Sequence, residues 1–410
     1  MRKSGGDKRP YLKPVLRVEL SQDNITLRIV LAVVLLAVAI VAIGYGLNAA
    51  LTVEPGWETV ETTAETPTWS QDFVLRYYFD GENPTELKRQ VTRAYTEASE
   101  FGFRLFSPET MEYGFYNVGY LNDHPNEDVQ VLPDLYPALE QAAASGSRHV
   151  FLAPAMAEYA SLFSCTDDAT ASSLDPGKNP EEIAWLAELA GYVRDPEHIR
   201  LEIKGEGKVR LVVSQGYLDF AEKYEIDTLF DFGVAHHAFL ADFLAEKLSV
   251  QGFTNGYLAS FDGFTRNLDS RGTSYDLNLF HRNGTDICQP AKLRYSGPMS
   301  IVALRDYPLS EKDRRRCYVY EDGTIVSAYL NPETCLSAAE MSDLVLYDPS
   351  LSCGQLALKA LDLVVSGTIQ PEALDGVNAI WYEGDTIRYT DHENPPELVT
   401  DTVQYNLKEA

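Results

Sequence analysis

The chain has 410 residues, of which 45% are hydrophobic and 23% charged, enough apolar content for one large domain or two smaller ones and unlike a disordered chain. Lys and Arg number 34 against 61 Asp and Glu, a formal net charge of −27. Such a surface repels phosphate backbones and excludes nucleic acid as a partner class.

The first feature in chain order is a run without a charged residue from Ile29 to Val53, unbroken in apolar character from Ile29 to Ile43. About 20 residues cross a hydrocarbon core, so the run predicts a transmembrane helix. Seven basic residues (Arg2, Lys3, Lys8, Arg9, Lys13, Arg17, Arg28) precede it against three acids, and Glu54, Glu58, Glu61 and Glu65 follow it. The positive-inside rule then predicts a cytoplasmic tail (1–28), a single anchor (29–53) in the cell membrane and an extracytoplasmic remainder. A cleaved signal peptide is the alternative, since Asn48-Ala49-Ala50 offers small residues; the long polar leader favours an uncleaved anchor.

Residues 54–70, rich in Thr, Glu and Pro, read as an extended linker, and 71–410 as the main domain. In that domain Asp72–Asp80 reads as a strand and Pro84–Phe106 as a helix opened by proline. Asp134–Ala144 reads as a second helix and Ile199–Val213 as a hairpin around Gly-Glu-Gly. His237–Leu248 is amphipathic, and Tyr257–Phe261 is a short strand. The last third alternates strands (Ser300–Leu304, Cys317–Tyr320, Asp343–Tyr347) with a helix at Gln355–Val365, then ends in a hairpin, Ala379–Tyr389. The fold class is α+β or α/β. The five cysteines show no CxxC spacing and read as buried small hydrophobes with at most one or two bridges.

Three ordered stretches carry a family resemblance. Asp231-Phe232-Gly233-Val234-Ala235-His236-His237-Ala238-Phe239-Leu240-Ala241-Asp242 is similar to a D-L-G-G-I-A-K-G-Y-A-V-D helix entry. Gly252-Phe253-Thr254-Asn255 resembles the turn that follows, and Asp322 to Cys335 resembles D-G-x-x-x-x-H-I-x-D-P-x-T-G. Tyr120-Leu121-Asn122 is a weaker echo of an asparagine turn. Together they resemble the FAD:protein FMN transferases, often called ApbE-like. The resemblance implies an α+β, two-lobed domain with mixed sheets. It also implies transfer of FMN from FAD onto a Thr of an exported flavoprotein, with FAD as donor and Mg²⁺ on the phosphates.

Carried residue by residue, the resemblance implies catalytic roles for His237 and Asn331. It implies flavin contacts at Asn122, Asp231, Gly233, Asp262, Tyr329 and Thr334, and metal ligation by Asp231 and Asp262. The departures argue against activity. His237 stands for a Lys, Ala238 for a Gly, Phe261 for a Gly, Ala328 for a His, Asn331 for an Asp and Cys335 for a Gly. Ser352 to Leu358 offers neither the carboxylate nor the hydroxyl that serve the metal in that family, and phosphoryl transfer rests on such charge placement. The expectation is a degenerate, membrane-anchored flavin-binding or protein-interaction module. An active transferase with an exported FMN-binding electron-transfer protein as acceptor is the alternative. Adjacent His236 and His237 point about 100° apart on a helix and do not share a metal, Arg314-Arg315-Arg316 reads as a solvated loop, and the Tyr329 ring either stacks on an isoalloxazine or is buried against the neighbouring helix.

Overall fold

The computed structural model describes residues 25–51, 53–81, 83–109, 114–284, 286–310, 312–374, 376–399 and 404–410, and it divides into the units Met1–Val53 and Glu54–Ala410. The expected cytoplasmic tail lies outside the described residues as far as residue 24. In the first unit Ile25–Leu51 is a 27-residue helix. Its side chains are described from Ile29 to Ile43, where the large apolar ones are all more than half exposed. Among the described residues no helix is long and apolar enough to cross a membrane.

The second unit is built on a nine-stranded sheet. Its order is Gly56–Val60, Phe73–Phe79, Gly256–Ser260, Phe264–Asn267, Met299–Arg305, Asp343–Asp348, Asn378–Glu383, Thr386–Tyr389 and Asn406–Glu409. All neighbours are antiparallel except the last pair, which makes the sheet mixed. Phe73–Phe79 shows the two-residue period of a half-buried strand, with Phe73, Leu75, Tyr77 and Phe79 inside. The central strand Asp343–Asp348 is buried on both faces because each face has its own cover. Helices His236–Val250 and Cys353–Ser366 pack on one face, and Pro84–Phe106 lies against His236–Val250. The other face carries a long hairpin, Ser274–Asn283 with Asp286–Ser296. Its Leu279, Ala291 and Leu293 pack in one cluster with Ile301, Val345, Tyr347, Ile380 and Ile387 of the sheet. Each such fully buried side chain is worth roughly 1.5–3 kcal/mol. A three-stranded sheet (Val129–Gln130, Lys208–Val213, Ile199–Gly205) and the helix Tyr136–Ser145 lie between these elements in sequence and pack on one another.

The α+β class with mixed sheets is the observed one, and the helices and strands named above fall within a few residues of their expected positions. One expectation is corrected. Residues 54–70 are not an extended spacer. Gly56–Val60 pairs with Phe73–Phe79, and Thr63 and Thr66 hydrogen-bond Thr96 and Glu100 of the helix Pro84–Phe106. Trp57 and the β-branched residues supply a pairing strand that the Glu and Pro content hides. The five cysteines are all free and three of them are buried, within the expected limit of at most one or two bridges. The long hairpin and the helices Asp168–Leu174, Pro180–Val193 and Gln215–Lys223 were not foreseen.

Candidate functional site

The site is built where the helix His236–Val250 begins. Asp231 shapes the entry: its Oδ1 accepts from the Gly233 N–H at 2.8 Å. Gly233 has φ +51°, and a Cβ there would lie 3.2 Å from the His149 carbonyl, so the turn calls for glycine. Asp231 is half-buried, and burial pushes its carboxyl up to about 6 against the pull of the Gly233 N–H. The turn then sends its two histidines to different places. His236 lies edge-on to Trp69 and Phe106, and burial, with the charges of His237 and Arg316 beside it, pushes its imidazole down to about 3. It is a neutral core residue.

His237 points to Asp262, in the turn between strands Gly256–Ser260 and Phe264–Asn267. Its Nδ1 lies 2.7 Å from Asp262 Oδ2, and its Nε2 lies 3.8 Å from Asp72 Oδ2. Arg316 closes the cluster. One guanidinium nitrogen pairs with Asp262 Oδ2 and the other donates to the Val234 carbonyl at 3.1 Å. Burial alone would raise the Asp262 carboxyl; the Arg316 charge and the His237 contact outweigh it and hold the group well below the usual carboxylate range. Asp262 is thus an ionised, doubly paired acid. Its Oδ1 is buried with no hydrogen-bond partner.

Arg305, Asp313, Tyr307, Cys317 and Tyr329 complete the walls around Asp262 and Arg316, leaving about 20 Å³ of space. That is room for one water, not for an isoalloxazine. Tyr329 is buried; its hydroxyl donates to the Arg305 carbonyl at 2.9 Å and accepts from the Arg305 N–H at 3.1 Å, and burial pushes the phenol up. It packs rather than presenting a face to a planar ligand.

The remaining expected residues stand apart from this cluster. Asn122 is buried, and its amide accepts from the Leu229 and Phe230 N–H groups and donates to the Phe230 carbonyl, all within 3.0 Å. That bracing holds the approach to Asp231. Asn331 organises a turn: its carbonyl accepts from the Thr334 and Cys335 N–H groups and its Oδ1 from the Glu333 N–H. Thr334 is exposed and caps the Leu336 N–H. Cys335, at φ +58°, holds a left-handed conformation costing about 1–2 kcal/mol for a non-glycine residue. A glycine in the resembled motif at this place has that physical reason.

Sequence reasoning missed Arg316, Arg305 and Asp72. Arg316 was grouped with a solvated basic run; its contacts with Asp262 and Val234 correct that. The signal available was three consecutive arginines in a chain with so few cations.

Magnesium fails to find a ligand set. Among the described residues no group of three or more His, Cys, Asp or Glu side chains is placed to hold a metal ion. Asp231 is committed to its own turn and Asp262 to the Arg316 guanidinium and the His237 ring. At Gly354, in the segment expected to lack metal ligands, a Cβ would lie 2.6 Å from the Phe239 ring, so the packing leaves no room for a carboxylate there. Instead Asp242, from the same helix as Phe239, caps the N–H groups of Cys353 and Gly354 at 3.0 and 2.8 Å and pairs with Arg266.

The fold has known counterparts. The crystal structure of the ApbE protein from Thermotoga maritima superposes with a TM-score of 0.53 at 14% identity, covering 79% of this chain and 94% of that one. A variant of the flavin transferase ApbE from Vibrio cholerae matches at 13% identity and a TM-score of 0.47, over 85% of this chain and 98% of that one. The fold is therefore ApbE-like. No family profile matches the sequence, and no curated protein does.

Proposed function

We propose that this chain is a membrane-anchored, extracytoplasmic flavin-transferase-like domain that has lost magnesium-dependent phosphoryl transfer and works by binding, towards a flavin or a protein partner. The observation that carries the reading is the closed cluster of His237, Asp262 and Arg316. The Arg316 guanidinium neutralises the carboxylate and the His237 ring lies against it, in a space of about 20 Å³. Phosphoryl transfer needs a cation free to meet developing charge on phosphate oxygens, and here the positive charge is spent inside the protein. The packing of Phe239 over Gly354 supports the same reading. The anchor rests on the apolar run Ile29–Ile43 and the charge asymmetry around it.

Titration of the full-length protein in detergent with FAD, with and without Mg²⁺, followed by flavin fluorescence, tests this. Binding indifferent to Mg²⁺ makes the domain a flavin-binding module, and no binding at millimolar FAD directs the search to a protein partner. Binding that tightens tenfold or more with Mg²⁺ overturns the proposal in favour of an active transferase loading an exported flavoprotein.

A further inference from the structure

We infer that Arg316 is a built-in counter-cation that keeps divalent metal out, and that Leu309, Lys312 and Asp313 form the strap holding it in place over a latent metal site at Asp262 and His237. This rests on the degenerate-site reading above and adds a specific residue and a specific ion class to it.

The strap is stitched down along its length. The Leu309 N–H and Arg305 Nη2 both donate to Asp313 Oδ2, at 3.1 and 2.9 Å, and Arg305 also donates to the Phe261 carbonyl at 3.1 Å. Lys312 Nζ sits 3.7 Å over the Phe261 ring and donates to the Gln71 carbonyl at 3.1 Å. These contacts converge on the Phe261-Asp262 turn and seat Arg316 between Asp262 Oδ2 and the Val234 carbonyl. Taking the guanidinium away would leave a carboxylate, a backbone carbonyl oxygen and an imidazole nitrogen around one vacated position. That mixed oxygen and nitrogen donor set suits a first-row divalent ion such as Mn²⁺. Asp262 Oδ1, on a side chain only 9% exposed and without a hydrogen-bond partner, supplies a second oxygen at the same place. A buried carboxylate left with the His237 ring and the Ser260 hydroxyl but no fixed cation is destabilised, and binding a metal cation would offset that.

The test uses Mn²⁺ and electron paramagnetic resonance on the full-length protein without flavin. Wild type is expected to leave the Mn²⁺ signal that of the free ion at 1 mM. Arg316→Gln, close to arginine in shape and uncharged, is expected to bind one Mn²⁺ at least tenfold more tightly than wild type. Arg316→Gln/Asp262→Asn is expected to lose that gain. Arg316→Lys keeps the charge and is expected to exclude Mn²⁺ as wild type does. Added guanidinium ion, at tens of millimolar, is expected to displace Mn²⁺ from Arg316→Gln. Guanidinium displacement separates an occupied vacancy from adventitious binding to an acidic surface. Stoichiometric Mn²⁺ binding by wild type overturns the inference, as does a folded Arg316→Gln that binds none or binds it independently of Asp262. Should Arg316→Gln fail to fold, Arg316→Ala takes its place, and a folded Arg316→Ala that binds no Mn²⁺ overturns the inference. Because no flavin is present, failure here leaves the FAD titration standing on its own.

Discussion

Replacing Gly263 by alanine puts a methyl group where there is a backbone oxygen. Gly263 has φ +105°, and an added Cβ would lie 2.1 Å from the Ala303 carbonyl oxygen and 3.0 Å from its carbon. Ala303 cannot retreat cheaply: its N–H donates to the Gly263 carbonyl at 2.8 Å, and it sits inside the sheet strand Met299–Arg305. A positive φ costs an L-residue about 1–2 kcal/mol and forced repacking about 1–3 kcal/mol, so Gly263→Ala is expected to destabilise by about 4 kcal/mol. Gly323→Ala isolates the steric part, because Gly323 has φ +87° with nothing within 4 Å of the added Cβ. It should cost only the conformational share, about 1–2 kcal/mol. Urea unfolding of both variants, followed by tryptophan fluorescence, measures the difference. If Gly263→Ala is no less stable than Gly323→Ala, the turn that presents Asp262 is not pinned against Ala303, and the rigidity assigned to the site is refuted.

Two further outcomes are expected. Burial holds the Asp231 carboxyl up at about 6, above the ~3.9 of an exposed aspartate. Its folded-state advantage is therefore complete below pH ~4 and is lost as pH rises through ~6. Relative to Asp231→Asn, which keeps the oxygen facing the Gly233 N–H, wild type should lose about 3 kcal/mol across that window; parallel stability profiles would show that the carboxyl is not held up. Thiol titration with Ellman's reagent, without reductant, should find five reactive cysteines after denaturation. In the native state only Cys165 and Cys288 should react quickly, the other three being buried; fewer than five on denaturation would mean a disulfide.

The order of strands and helices was written in local patterns. The apolar period of Pro84–Phe106, with Asn83 capping and Pro84 opening the helix, needs no partner to be read. The hairpins at Ile199–Val213 and Ala379–Tyr389 announce themselves by alternation around glycine turns. The ApbE-like fold was legible because residues that shape the backbone carry the resemblance: Gly233 is held left-handed, and Cys335 takes the left-handed angle without being glycine.

What only the tertiary structure decided is how charges are spent. Asp231 and Asp262 looked alike in sequence, yet one is raised by burial over a single N–H and the other is depressed by the Arg316 charge and the His237 contact, both from distant segments. Arg316 lies 54 residues beyond Asp262, and nothing local to either residue marks the pair. Side-chain pairing across such separations depends on strand order, and strand order follows from which faces are covered. The sequence by itself determined many of the elements, though not the long hairpin or the strand Gly56–Val60, together with the charge and the family resemblance, since these depend on neighbours a few residues apart. The closing of the site was settled by packing, because the energy of a buried charge depends on everything that surrounds it in space.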